Sequence, residues 1–157
     1  MTPQPELQRL AALIDSEAAL LRAFLVLLER EETLLIAGEA DALLTLTQEK
    51  SHHYQQLQRV HNDRALLLGR LRRPNDEASI RELCGSLPGT LACWEEIRKL
   101  AYSAQHRNQI NGKLIVERMQ HNQFALSVLL TAAGQPQLYN AMGMTRPRSS
   151  GRHLGSA

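Results

Sequence analysis

From Leu7 onward the apolar residues recur in columns seven apart. One column reads Leu7, Ile14, Leu21, Leu28 and Leu35; its neighbour reads Leu13, Leu20, Leu27 and Leu34. A further contact row holds Leu10, Glu17, Phe24 and Glu31. Recurrence sustained over four heptads predicts one long helix with a slight left-handed supercoil against its partners. The apolar face is wider than a two-stranded seam, so the helix meets more than one neighbour. Pro3 and Pro5 suit a first turn, and Gly38 is a natural residue just past the last one. The helix then runs from Pro5 to Ala37, about 48 Å at 1.5 Å per residue.

A second helix follows, capped by Asp41, with Leu43, Leu46, Tyr54, Leu57, Val60, Leu67, Leu68 and Leu71 at helical spacing. It stops at Arg72-Arg73-Pro74, because proline cannot continue it. Asp76 caps a short third helix, Glu77 to Leu87, with Ile80, Leu83, Cys84 and Leu87 on one face. Pro88-Gly89 breaks that helix, and Thr90 caps a fourth from Leu91 to Ala133. Its stripe is apolar at Leu91, Trp94, Ile97 and Ala101, polar at Asn108 and Asn111, and apolar again at Leu114, Ile115, Met119, Leu126 and Leu129. Gly134 and Pro136 end it. The pattern predicts an all-α, four-helix-bundle-like fold: an antiparallel bundle of three long helices and one short one, in a single domain over residues 1–134. A flexible tail over 135–157 is too polar to order alone, although Leu138, Tyr139, Met142 and Met144 keep a small apolar group, the first three on one side of a potential helical turn.

Composition narrows the class further. Leucine fills 28 of 157 positions and aromatics only 4%, a balance that favours helices and disfavours β-sandwiches, barrels and doubly wound enzymes. So few aromatics also argue against base-stacking nucleic-acid modules. The net charge of +2 hides a partition: residues 1–41 carry −5, 42–75 carry +4, 76–104 carry −2 and 105–157 carry +5. Long helices of opposite charge side by side favour one antiparallel arrangement, so the positive total is no sign of a nucleic-acid partner. No run is long enough to span a membrane, and the N-terminus lacks a secretory pattern. The expected location is the cytoplasm, with Cys84 and Cys93 reduced and acting as small apolar fillers.

Little in the chain spells out catalysis. Glu49-Lys50-Ser51-His52 has the Glu-x-x-His spacing of di-iron bundles, but Glu117 to His121 has the wrong spacing to be its second copy. No Gly-rich phosphate loop occurs, and the six histidines form no nucleophile–base arrangement. The expectation is a non-enzyme without a cofactor. Asn108-Gln109-Ile110-Asn111-Gly112 stands out, because Asn and Gly are poor helix formers inside a helix that otherwise continues. Asn108 and Asn111 lie on the face that is apolar before and after them. This predicts a polar layer that sets register, with close helix approach at Gly112. Met119, Leu126, Leu129 and Leu130 lie where the bundle runs short of internal partners.

The chain resembles the FlgN family of flagellar export chaperones. The likeness rests on the acidic leucine-heptad helix, Gly38-Glu39-Ala40-Asp41 followed by a leucine pair, Lys50, and Arg64-Ala65-Leu66-Leu67-Leu68. Its most specific part is Asn108-x-x-Asn111-Gly112-x-Leu114-Ile115 with Leu138-Tyr139 and Gly143 downstream. The resemblance implies a cytosolic chaperone for hook-associated proteins of the FlgK and FlgL type. Such a chaperone binds their C-terminal helical segment, prevents premature assembly and delivers them to the type III export gate. It maps client binding onto Leu114 to Leu138, here Leu114, Ile115, Met119, Leu126, Leu129, Leu130 and Leu138, and docking on the gate component FlhA onto Tyr139. A longer basic end, with Arg146, Arg148 and Arg152, departs from that pattern. The expected state is a monomer or weak homo-oligomer. Two other classes fit the residues: a structural or oligomerising bundle without client specificity, and a metal-dependent bundle enzyme built on Glu49 and His52.

Overall fold

A computed structural model describes residues 4–134 and the backbone of two short strands beyond them. Helix α1 spans Gln4–Ala37, α2 Ala40–Arg70, α3 Glu77–Leu83 with a 3₁₀ turn Cys84–Ser86, and α4 Pro88–Ala132. Strands β1 (Leu138–Tyr139) and β2 (Thr145–Arg146) pair antiparallel, Leu138 opposite Arg146 and Tyr139 opposite Thr145. The fold is all-α, as the heptad columns predict. The helical turn expected at Leu138 is replaced by extended backbone, since a lone turn is too short to hold itself in water and the pairing offers inter-strand bonds instead. Met142 and the arginines Arg148 and Arg152 lie outside the described residues. The chain divides after Asn111 into two units, Met1–Asn111 and Gly112–Ala157.

Local chemistry sets the element ends. Gly38 adopts φ 73°, its N–H donating to the Leu35 carbonyl at 3.3 Å while that of Glu39 reaches Leu34 at 3.0 Å. This pair of bonds closes α1 with a left-handed residue that glycine reaches without strain. Arg72 does the same job at the end of α2 with φ 59°, a conformation that costs a residue bearing a Cβ more than it costs glycine. The Asp76 carboxylate accepts from the Ser79 N–H at 2.8 Å and caps α3. Two expected caps are displaced. α2 begins at Ala40 after Glu39, so Asp41 sits in the first turn, where its charge still suits the helix dipole. α4 begins at Pro88, whose fixed φ suits a first turn, so Thr90 lies inside the helix.

In the first unit α1 and α2 form an antiparallel hairpin, while α4 runs parallel to α1. Contacts from Ile14 to Cys93, Arg22 to Glu96 and Glu32 to Arg107 advance together along both α1 and α4. The main apolar cluster joins Leu7, Leu10, Ile14, Ala18 and Leu21 to Leu67, Leu68, Ile80, Leu83, Cys84, Trp94 and Ile97. All four helices contribute to it. A second cluster holds only Phe24, Leu28 and Ala104, with Leu25 and Leu57 against them. Short α3 is fastened by ion pairs: Arg73 to Glu82, Arg81 to Glu77 and Glu95, and Arg98 to Glu77.

Several of these carboxylates are held below their ordinary pKa. Arginine hydrogen bonds do this for Glu82, Glu95 and Glu96, and the Ser79 N–H does it for Asp76. A group whose folded pKa is depressed contributes stability above its unfolded value and loses it as pH falls through the folded one. The midpoint of thermal unfolding, followed by circular dichroism, is therefore expected to be level above about pH 4.5 and to drop steadily below it. A midpoint unchanged down to about pH 3 would contradict this assignment of the carboxylates.

Candidate functional site

Two layers of buried polar side chains cross the first unit. In one, Glu17 of α1 meets Arg64 of α2, both largely shielded from solvent. The Arg64 guanidinium lies 5.1 Å from the Trp94 ring centroid and donates to Asn75 Oδ1 at 3.2 Å. Burial lowers its pKa from the ordinary value, but an arginine remains charged. In the other, Lys50 Nζ donates to both carboxylate oxygens of Glu31, at 3.1 and 3.2 Å, and to Asn108 Oδ1 at 2.7 Å. Asn111 Nδ2 donates to the Leu28 carbonyl at 2.9 Å and to Glu31 Oε1 at 2.8 Å. Glu31 is 4% exposed and Asn111 0%.

The arrangement explains the polar interruption of α4. Asparagine side chains often compete with helical backbone, but here both reach across to other helices, so α4 stays continuous through Gly112. Asn108 and Asn111 are brought together with Glu31 and Lys50; Gly112 is not part of the contact. A Cβ added at Gly112 would meet nothing within 4 Å, so close helix approach is not the reason for glycine there. Glu31 and Glu17 are the members that the interrupted stripe of α4 does not reveal. Their signal lies in α1 itself, two acidic residues in an apolar heptad row.

The second unit holds the other candidate residues. Over 112–132 no described side chain is buried. Leu114 and Leu130 are half-exposed, and Ile115, Met119, Leu126 and Leu129 are exposed, Leu129 at 67%. Ile115, Met119, Leu126, Leu129 and Leu130 share one helix face at 3.6 residues per turn. Val116, Phe124 and Val128 are exposed too, Phe124 at 70%, and single-stripe reasoning missed them. Phe124 and Val128 lie four apart on the other side of the helix, a pair visible from spacing alone. Tyr102, in the first unit, is 74% exposed as well; of Leu138 and Tyr139 only the extended backbone is described.

Other sequence candidates are placed as follows. Glu49 Oε2 accepts from Arg30 at 3.4 Å, and the His53 ring nitrogen lies 3.1 Å from the Glu49 carbonyl. Among the described residues no three His, Cys, Asp or Glu side chains converge as metal ligands. Cys84 is buried and Cys93 is partly buried, both free thiols raised above the ordinary pKa chiefly by burial. No helix among the described residues is long and apolar enough to cross a membrane.

These features define a helical-bundle protein whose first unit is registered by buried polar layers and whose last helix ends in uncovered apolar side chains. The FlgN family profile, described as FlgN protein, matches residues 1–147, and the chain belongs to that family. Two curated proteins of Yersinia enterocolitica, one of them from serotype O:8 / biotype 1B, are each named Flagella synthesis protein FlgN. Both are 26% identical to this chain over 151 residues, covering 94% of it and 97% of their own length. No solved structure matches it.

The Glu31–Lys50 layer can be tested as a unit. Replacing Lys50 with Met strands a buried carboxylate and is expected to lower stability by about 3 kcal/mol. Combining Lys50→Met with Glu31→Gln removes both charges and should recover most of that loss. Urea titration of the three proteins checks this; losses that simply add in the double variant would show that the two side chains are not coupled.

Proposed function

We propose that this chain is a cytosolic flagellar export chaperone. It binds the C-terminal helical segment of hook–filament junction proteins of the FlgK and FlgL type, keeps them from assembling early and brings them to the export gate through FlhA. Membership of the FlgN family supports a role in flagellum assembly. The observation that carries the finer reading is the run of exposed apolar side chains over 112–132. Large apolar groups clustered on a soluble helix normally mark a surface awaiting a partner.

The chemistry fits an amphipathic helix as that partner. Ile115, Met119, Leu126 and Leu129 present a stripe into which a client helix packs with its own i, i+3, i+4 and i+7 residues. Each leucine fully covered on binding contributes about 2 kcal/mol, so a handful of anchors suffices for a stable complex once ordering costs are met. Met119 adds an unbranched, adaptable side chain suited to accepting two related clients. Tyr139 is the proposed contact with FlhA, separate from the client stripe.

Leu126→Glu with Leu129→Glu is expected to abolish capture of a FlgK-type C-terminal segment, while helical content and thermal midpoint stay close to wild type. Undiminished capture by that double variant would overturn the proposed client site. Tyr139→Ala should leave client capture intact and weaken FlhA binding about tenfold or more, as loss of a buried aromatic anchor does. Calorimetric titration against the FlhA cytoplasmic domain measures it, and equal affinity would remove Tyr139 from that role.

A further inference from the structure

The segment of α4 between the main cluster and Gly112 is held differently from what precedes it. Trp94 and Ile97 are buried in the main cluster, and Leu100 packs against it. From Ala101 to Asn111 the buried side chains are Ala104 and Asn111 alone. Ala104 presents one methyl group to Phe24 and Leu28. Polar side chains add further links from this stretch to the α1–α2 hairpin. Arg107 pairs with Glu32 at 2.8 Å and lies 3.9 Å from Glu29, Asn108 accepts from Lys50, and Asn111 donates to Leu28 and Glu31. The Asn111 Oδ1 is buried without a hydrogen-bond partner among the described residues, which works against closure.

The hairpin does not need this stretch to stay together. Glu17–Arg64, Glu31–Lys50, Arg30–Glu49 and the Phe24–Tyr54 ring contact at 4.9 Å all lie between α1 and α2. We infer that residues 101–111 of α4 form a reversible polar latch, which opens from the hairpin while the four-helix end remains folded. Water can replace each of its polar contacts, whereas it cannot replace the packing of Trp94 and Ile97. Opening bares Phe24 and Leu28 and leaves the Glu31–Lys50 pair intact on the hairpin. The latch is thus a two-state element with a polar fastening and a small apolar seat.

Hydrogen exchange on the full chain, read by mass spectrometry of peptides, tests this. Amides of 101–111 should exchange on the order of 100-fold faster than those of 91–97, although both lie within one continuous helix. Raising NaCl from about 0.05 M to about 1 M should speed the 101–111 amides roughly threefold and leave 91–97 unchanged, because the half-exposed Arg107 pairs are screened. Arg107→Gln should make 101–111 fast at low salt and remove the salt response. Protection of 101–111 within about threefold of 91–97 would overturn the latch, as would a salt response that survives Arg107→Gln.

Discussion

Glu17 and Glu31 sit two heptads apart on α1, in positions that leucine would otherwise fill, and each meets a cation fourteen residues from the other on α2. Both pairs satisfy the same antiparallel register. Leucine columns alone would pack nearly as well after a slide of one heptad, but such a slide would set Glu17 opposite Leu57 or Leu71 and Glu31 opposite Leu43 or Leu57. Two carboxylates would then be buried against hydrocarbon, at several kcal/mol each. The net worth of a buried ion pair against a well-packed leucine pair is small, so the value of these pairs lies in the alternatives they exclude. The placement of α4 follows, because Trp94 seats on Arg64 and Asn108 and Asn111 seat on the Lys50–Glu31 pair.

Apolar and polar fastening are divided along the bundle. Where α3 and the start of α4 complete four helices, the core is wide and leucine-rich. Toward the α1–α2 turn α3 no longer contributes: Phe24, Leu28 and Ala104 form a small cluster, Leu27, Leu35 and Leu46 are buried on the hairpin, and ion pairs from Arg107 to Glu29 and Glu32 add to the contact between α1 and α4. The charge partition between segments is the large-scale trace of this arrangement: α1 is acidic where both of its neighbours supply cations.

Boundaries and fold class are legible in the sequence because they depend on local chemistry, as Gly38, Asp76 and Gly134 illustrate. Asn108 and Asn111 are legible because they interrupt an apolar stripe. Their partners are not, since Lys50 and Glu31 meet only once the hairpin has chosen its register, a property of two helices together. Gly112 misleads for a related reason: glycine in a helix suggests crowding, yet the space around it is open. Phe124 and Val128 escape a search that follows one face, although the helix carries apolar residues on two. Thr90 is a sound cap residue overruled by a proline two positions earlier that already fits the first turn.

The tight turn at Gly38–Glu39 has a consequence for how the chain is made. Every contact that defines the α1–α2 register lies within residues 1–70, so none of them waits for α4. Synthesis proceeds at roughly 5–20 residues per second, and helix pairs with local contacts form in far less time than the next helix takes to emerge. The α1–α2 register can therefore be chosen before α4 emerges, and the main core is completed only when Trp94 and Ile97 arrive.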